Sequence, residues 1–484
     1  MKVLFIQDNG INESLALCEL SALLKAHGHE TAVLLEREER DLEAAIDAFV
    51  PDWFLIPCSI LAHTWALGMA RRIKARYPGK PVILGGTHPT FYPEIVEEPD
   101  ADAIIVGEAE GAALDICEAM ARGDDIADIP NVWLKRNGQL IQNHKRPLLA
   151  PLDDIPLPDR GMYFRYPFLR SFGWKKFMSG RGCYHSCAYC YNPKIRESYH
   201  GLGVYVRRKT PERAVREVLW MKQNSSLKIA HFSDDLFISD ADWAEEFSAC
   251  YRREVGDIPF TCNATVDLVT ERSVAALARA GCRAVAIGIE TGDEHLRRMI
   301  MKKNITDEQI RAAARLLKKH GIMVVTFNMI GNPGESLESA FRTMELNAEI
   351  GADCARLTFG IPLPRTRYAD YAVEIGVLDP AHAECLPDIT DIAAAGPHPV
   401  FKTPHKREFI NLYYLFRLGV ARPALIPLIK KAVRSPATAP FKPFSLNMFL
   451  VEKRMFNLGL AEGFRYFLHV GSPDRRTTNF VFLI

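Results

Sequence analysis

Short apolar runs recur along this chain at intervals that leave room for one helix each, and this repeat restricts the fold more than any other feature. Such a run between turn signals is a buried strand, and strands separated by single helices pair parallel because the chain must cross over to return. Lys2–Gln7 is the first such run, and helical periodicity over Glu13–His27 follows it, closing at Gly28. Strands are then expected at Thr31–Leu35, Trp53–Cys58, Val82–Gly85 and Ala103–Val106, with helices over Leu42–Phe49 and Trp65–Tyr77. The pattern predicts an α/β fold, a Rossmann-like doubly wound parallel sheet, whose ligands sit at the carboxyl ends of its strands. Those ends carry Asp8-Asn9-Gly10, Ser59, Gly85-Gly86-Thr87-His88 and Gly107-Glu108. A dinucleotide site needs Gly-x-Gly-x-x-Gly after the first strand; this chain has QDNGINES there, which argues against NAD and FAD.

The Asn137-Gly138 pair accepts the positive φ values of a tight turn and predicts a hairpin from Val132–Lys135 to Gln139–Gln142. A stretch rich in Pro and Asp follows and reads as a linker, residues 146–172, closing a first domain of residues 1–145. Alternation then resumes. Strands are expected at Lys175–Ser179, Ile229–Ser233, Phe260–Asn263, Ala284–Ile289, Val324–Ile330 and Ala355–Phe359. Helices are expected at Pro211–Gln223, Asp240–Arg253, Glu271–Ala280, Asp307–His320 and Leu337–Ile350. Six such units make a (β/α)6 partial barrel over residues 173–385, or a full one, with chemistry at the strand carboxyl ends. Residues 386–484 lose the alternation and are expected to form a mostly helical cap. Multiple domains also follow from length, since 484 residues exceed one ordinary core.

Sixty Lys and Arg against 59 Asp and Glu leave no global field that would favour nucleic acid. No apolar run is long enough for a membrane span, and the start has no signal-peptide pattern, so a cytoplasmic location is expected. Eleven Cys, mostly isolated in apolar contexts such as Cys58 and Cys250, fit a reducing compartment. Three of them cluster: Cys183, Cys187 and Cys190, directly after a strand. Thiolates bind iron–sulfur clusters, and a full site takes four. Three close ligands therefore leave one iron open for a substrate or second cofactor. A zinc site using His185 or His200 is the competing reading, and buried thiols meeting by coincidence a third.

The stretch GRGCYHSCAYCYNP resembles the signature of the radical S-adenosylmethionine (SAM) family, including the aromatic Tyr189 before the last Cys. The resemblance implies that the three thiolates hold a four-iron four-sulfur cluster whose free iron is chelated by SAM. One electron from the cluster then cleaves SAM to methionine and a 5′-deoxyadenosyl radical. HFSDDLF, with Asp234 and Asp235, resembles the family's second-strand segment near the SAM amino group. GIETGDEH resembles its fourth-strand motif, with Glu290 touching SAM, and FNMIGNPGES its fifth-strand motif, with Ile330 and Gly331 lining the adenine. FGIPLPRTRY stands where many relatives have Pro-Gly-Thr; Arg365 replaces that Gly.

ILGGTHPTFYPE, IIVGEAEGAA and LDDIPLPDR resemble the cobalamin-binding branch of that family, so the resemblance spans roughly residues 1–375. It implies that Gly85, Gly86, Gly107 and Glu108 border the corrin's nucleotide tail, with Ser59 hydrogen-bonded to it. Many cobalamin proteins place a cobalt-ligating His after the first strand, in Asp-x-His-x-x-Gly; here Asp8 is present but Gly10 takes the His position. The cofactor is then expected with its dimethylbenzimidazole detached and no imidazole from that loop. His63, Thr64 and Trp65 are the nearest candidates for the lower face, although His63 also reads as an ordinary helix-start residue.

The branch implies a C-methyltransferase acting on an unactivated carbon of a small-molecule or lipid-like substrate, fed by an electron donor such as flavodoxin or ferredoxin. An oxidative cyclase or rearrangement enzyme shares the same architecture, and a non-catalytic cobalamin or redox sensor and a zinc-dependent methyltransferase using cobalamin are further readings. No catalytic side chain is assigned. The aromatic and basic stretch Glu408–Arg434 reads either as a surface that lies on a membrane or covers a lipid-like substrate, or as a helix packed on the barrel.

Overall fold

The computed structural model describes residues 1–8, 13–60, 62–381, 398–438 and 441. It divides into two compact units. The first comprises Met1–Phe172 together with Ser198–Arg207, and the second Gly173–Glu197 with the chain from Arg208 onward.

In the first unit, strands β1 (Lys2–Gln7), β2 (Glu30–Leu35), β3 (Trp53–Pro57), β4 (Val82–Gly85) and β5 (Ala103–Ile105) are parallel in the order β2-β1-β3-β4-β5. Chain direction across the sheet reverses at β1 and β3, which opens the crevice where such sheets bind ligands. The hairpin β6 (Val132–Arg136) and β7 (Gln139–Gln142) extends it antiparallel, turning on Asn137 and Gly138 at φ 51° and 78°. The strands bury both faces. Val3, Phe5, Trp53, Leu55 and Ile105 pack on helices Leu15–Ala26 and Glu110–Arg122, while Leu4, Ile6, Phe54, Ile56 and Ile104 pack on Leu42–Phe49 and His63–Arg76. Ser14 and Asp41 cap the first two helices through Leu17 N and Ala44 N.

The stretch read as a linker packs onto this unit. Tyr163 is fully buried, its hydroxyl donating to Gln7 Oε1 at 2.7 Å and accepting from Ser14 N, and the Tyr166 hydroxyl accepts from Leu35 N at 2.9 Å.

The second unit is a six-stranded parallel sheet in sequential order: Trp174–Phe177, Ile229–Phe232, Phe260–Ala264, Cys282–Glu290, Met323–Ile330 and Cys354–Phe359. Sequential order with one helix per crossover curls the sheet into a partial barrel. Inward positions converge: His231, Thr261, Ala284, Ala286, Val325 and Arg356 line one cavity. On the fifth strand, Thr326 and Asn328 face the opposite way, onto helix Leu337–Glu349. There Thr326 Oγ1 donates to Asn347 Oδ1 at 2.5 Å, and Asn347 Nδ2 donates to Asn328 Oδ1 at 2.7 Å and to Thr343 O at 2.8 Å.

Helix Lys406–Ala421 lays Phe409, Leu412, Leu415 and Phe416 on Ile330, Phe341, Met344, Leu357 and Phe359. Helix Ile426–Ala432 follows, with Lys430 facing Glu338 and Glu345. The described part of the aromatic-basic tail is therefore a helix packed on the barrel, and no helix among the described residues is long and apolar enough to cross a membrane. The rest of the expected helical cap, residues 386–397 and all but one residue from 439 on, lies outside the described residues.

The buried amides fix the fifth strand against its helix, so cutting one should cost more than an exposed bond. We expect Asn347→Leu to leave Asn328 and Thr326 short of partners and to destabilise the unit by about 1–3 kcal/mol in urea unfolding.

Candidate cofactor sites at the strand ends

Past the first barrel strand, Cys183, Cys187 and Cys190 lie on a partly exposed loop held from several sides. The Ala188 N–H donates to Met301 O at 2.8 Å, and the Tyr368 N–H donates to Ala188 O at 3.2 Å. The Arg196 guanidinium donates to the carbonyls of Cys183 and His185, both at 3.2 Å, and to Ser186 Oγ at 2.9 Å. These contacts shape a loop with no regular structure of its own. Burial pushes the Cys183 thiol up to about 12 and the Cys190 thiol to about 11, and raises Cys187 as well. Thiols so placed stay protonated until a metal displaces the proton. Two donors already aim at one sulfur: Asn192 N and Nδ2 lie 3.4 and 3.6 Å from Cys190 Sγ. Hydrogen bonds to ligating sulfur tune iron–sulfur clusters, so the loop fits such a group. Among the described residues no three His, Cys, Asp or Glu side chains have closed to metal-binding distance. His185 turns aside to Asp267, 3.6 Å away, rather than toward a zinc-like set.

At the end of the fourth strand, Glu290 has φ 68°, a left-handed conformation that costs free energy for a side chain with Cβ. Its carboxylate accepts from Lys303 Nζ at 2.8 Å, and Lys303 also reaches the Tyr189 hydroxyl at 3.4 Å. Gly288 makes this possible, because a Cβ there would overlap both Glu290 Oε1 and Lys303 Nζ. Tyr189 stands edge-on to Tyr368, ring centroids 6.3 Å apart.

The two aspartates after the second strand differ. Asp234 is buried and accepts from Ser179 N at 2.9 Å and Ser179 Oγ at 2.6 Å, while its Oδ2 has no hydrogen-bond partner among the described residues. Asp235 is exposed and pairs with the Asn192 side chain. Burial raises the Asp234 carboxyl.

Ile330 and Gly331 are buried at the end of the fifth strand, and Gly331 has φ 65°. Glu335 closes that turn, accepting from Asn332 N and Nδ2, both at 3.0 Å. Arg365 has φ 61°, a left-handed conformation that favours glycine.

In the first unit, the ends of β3, β4 and β5 are laced together. Ile60 N donates to Thr87 Oγ1 at 3.3 Å, Thr90 Oγ1 to Gly86 O at 2.8 Å and Gly107 N to Thr90 Oγ1 at 3.0 Å. Ser59, Thr64 and Gly86 are exposed on this ledge, which offers the polar edge that a nucleotide tail needs. The glycines serve the protein's own contacts. At Gly86 (φ 121°) a Cβ would come within 2.9 Å of Cys58 O, whereas at Gly85 it would meet nothing closer than 3.6 Å. At Gly107 a Cβ would overlap the Tyr199 hydroxyl. Glu108 is engaged as well: its carboxylate accepts from Arg207 Nη2 at 2.7 Å and Leu149 N at 3.0 Å, and its N–H donates to Tyr199 Oη at 2.9 Å. Gly107 and Glu108 thus hold the Ser198–Arg207 segment within this unit. Asp8 likewise pairs with Arg37 at 2.6 Å. The first loop beyond it, residues 9–12, lies outside the described residues. His63 starts its helix with Nδ1 3.0 Å from Ile60 O, its ring stacked on His88 at 4.4 Å.

The sequence matches the B12 binding domain over residues 1–116 and the radical SAM superfamily over residues 177–346. Together these define a cobalamin-binding radical SAM protein. This chain belongs to that family, and its cofactors are a [4Fe–4S] cluster, SAM and cobalamin. An uncharacterised methyltransferase of Pyrococcus horikoshii is 28% identical over 347 residues, 70% of this chain and 73% of the relative. The anaerobic magnesium-protoporphyrin IX monomethyl ester cyclase of Rubrivivax gelatinosus is 26% identical over 379 residues, covering 74% of this chain and 65% of the cyclase. Two solved structures share the fold. TsrM from Kitasatospora setae, with cobalamin and a [4Fe–4S] cluster bound, has a TM-score of 0.64 at 18% identity, over 78% of this chain and 76% of TsrM. OxsB with aqua-cobalamin has 0.65 at 15% identity, over 99% and 74%.

Lys303, Asn192 and Glu335 were not singled out by sequence. Burial pushes the Glu335 carboxyl up to about 8, with Asp293 adding to the rise against its hydrogen bonds from Asn332. A raised folded-state value means that the unfolded chain ionises first, so this group's contribution to stability falls as pH rises from about 4.5 to about 8. Glu335→Gln should flatten the stability–pH curve across that window relative to wild type, measured by urea unfolding.

Proposed function

We propose that this chain transfers a methyl group to an unactivated carbon of a small-molecule or lipid-like substrate, with Cys183, Cys187 and Cys190 as its cluster ligands. The observation that carries the reading is the pairing of a three-thiol loop with the Glu290–Lys303 ion pair, in a chain that also has a B12 binding domain. When bound, the cofactors supply one-electron chemistry at SAM and a transferable methyl group.

The protein's own part is to bind and orient. Three thiolates leave one iron without a protein ligand, and Asn192 keeps a donor on Cys190 Sγ. The amino-acid end of SAM carries an ammonium and a carboxylate, and Glu290 with Lys303 presents the complementary charges side by side. Asp235, exposed beside the cysteine loop, is a better second partner for the ammonium than Asp234, whose carboxylate already serves Ser179. Tyr189 holds Lys303 from the loop side, and the adenine is assigned to the strand end at Ile330 and Gly331. In the first unit, Ser59, Thr64 and Gly86 take the corrin's nucleotide tail, with Gly85 beside them, while Gly107 and Glu108 keep the ledge in shape. His63, held by Ile60 O and His88, is the candidate imidazole for the cofactor's lower face. A reduced flavodoxin or ferredoxin supplies the electron.

An oxidative ring closure is the second reading, favoured by the similarity to the cyclase of Rubrivivax gelatinosus. Anaerobic reconstituted protein, given SAM labelled in its methyl group and a cell extract, decides between them. Methylation predicts 5′-deoxyadenosine together with label in one extract component; 5′-deoxyadenosine without transferred label contradicts it.

Replacing any one of the three cysteines with Ala should abolish 5′-deoxyadenosine formation, whereas Cys250→Ala should leave iron content and cleavage intact. A charge-assisted hydrogen bond is worth about 1.5–3 kcal/mol, so Glu290→Gln should weaken SAM binding about tenfold or more with iron content unchanged. Lys303→Met should do the same, and undiminished SAM affinity in both variants would remove the pair from the site.

A further inference from the structure

We propose that the face bordered by Lys302, Arg367 and Lys402, outside the apolar anchor of the cysteine loop, is the docking surface for an acidic one-electron carrier protein. The inference rests on the reading of Cys183, Cys187 and Cys190 as cluster ligands, and it locates where the electron enters.

The anchor is a cluster of buried residues that includes Ala188, Met301, Tyr368, Ala369 and Phe401. Ala188 stands between Cys187 and Cys190, and its backbone bonds to Met301 through its N–H and to Tyr368 through its carbonyl. The Tyr368 ring meets Phe401 at 5.5 Å and Tyr189 at 6.3 Å, edge-on in both cases. Packed side chains thus connect this cluster directly to the cysteine loop.

Three separate segments build the anchor, and each puts a cation into solvent next to its buried member. Lys302 follows Met301, Arg367 precedes Tyr368 and Lys402 follows Phe401, and all three cations are exposed. None of their side chains forms an ion pair or hydrogen bond among the described residues. Other surface cations of this chain, such as Arg72, Arg272 and Arg311, pair with carboxylates. With 60 Lys and Arg against 59 Asp and Glu overall, three unpaired cations around one cluster are a local excess of charge. Met299, 53% exposed on the same segment as Lys302, adds an apolar contact. Electron-transfer encounters bury little area and rely on opposite charge to steer the partners together, which suits a small apolar spot ringed by cations. An acidic carrier is the complementary partner. One electron moves: the carrier is oxidised by one, the cluster is reduced by one, and no proton or leaving group is transferred.

The test is stopped-flow reduction of the anaerobically reconstituted full-length protein by reduced flavodoxin and, separately, reduced ferredoxin, read from cluster absorbance. With at least one of them, the second-order rate should fall steeply as salt is raised. Lys302→Glu, Arg367→Glu and Lys402→Glu combined should slow it about tenfold or more, because reversed rim charges act on the encounter rate. Iron content, SAM affinity and the extent of reduction by dithionite should stay those of wild type. Should the triple variant lose its iron, Lys302→Gln and Arg367→Gln replace it, each slowing the rate about twofold. Lys135→Glu, an exposed change in the other unit, should leave the rate unaltered. The proposal is overturned if neither carrier reduces the wild-type cluster, or if the iron-loaded variants are reduced as fast as wild type. Unchanged reduction together with lost binding to phosphatidylglycerol vesicles would assign the face to a membrane and overturn it too. Fast reduction by a carrier without 5′-deoxyadenosine formation would sink the catalytic reading and leave the docking surface standing.

Discussion

Glu290 and Lys303 sit 2.8 Å apart with their side chains only 10% and 11% exposed, and a pair so shielded gains little net stability by itself. Removing two charges from water costs about what their attraction returns. This pair also demands a left-handed Glu and a glycine at position 288 with no room for a methyl group. A polypeptide that carries those costs at a strand end has a ready partner for a zwitterion, since a bound ammonium and carboxylate satisfy both charges at once. The cysteine loop, tied to Lys303 through Tyr189 and to the barrel through Met301 and Tyr368, is arranged around that pair.

The parallel sheets explain why both proposed cofactor regions lie at strand ends. Apolar residues and crossover helices cover the faces of a parallel sheet, so polar side chains collect at the carboxyl edges. In the first unit that edge is a ledge of Thr87, Thr90, Ser59 and Gly86, and in the second it carries the cysteines, Asp235, Glu290 and Gly331.

Much of this was readable from the residues. Apolar runs located every strand of both main sheets, because a buried strand leaves a compact signal bounded by turns, and Asn137-Gly138 located the hairpin. Helix Glu110–Arg122 was harder to read, since Ala109 at its start offers no capping side chain. The division of labour between Asp234 and Asp235 was hidden, because which of two neighbours faces inward depends on the pleat where the strand ends. The engagement of Gly107 and Glu108 depends on Tyr199 and Arg207, 91 and 99 residues from Glu108, and no local pattern reports a contact that distant. Lys303 was missed for a related reason: it follows the fourth-strand motif by a single turn of irregular helix, and lysines are common on surfaces.

The central claim is that three thiolates and the Glu290–Lys303 pair form one site in which SAM meets a single iron of the cluster. Mössbauer spectroscopy of protein reconstituted with iron-57 tests this most directly. The account predicts that adding SAM changes the parameters of one iron in four and that Glu290→Gln blunts this change at limiting SAM. Four irons whose spectrum is indifferent to saturating SAM would contradict it.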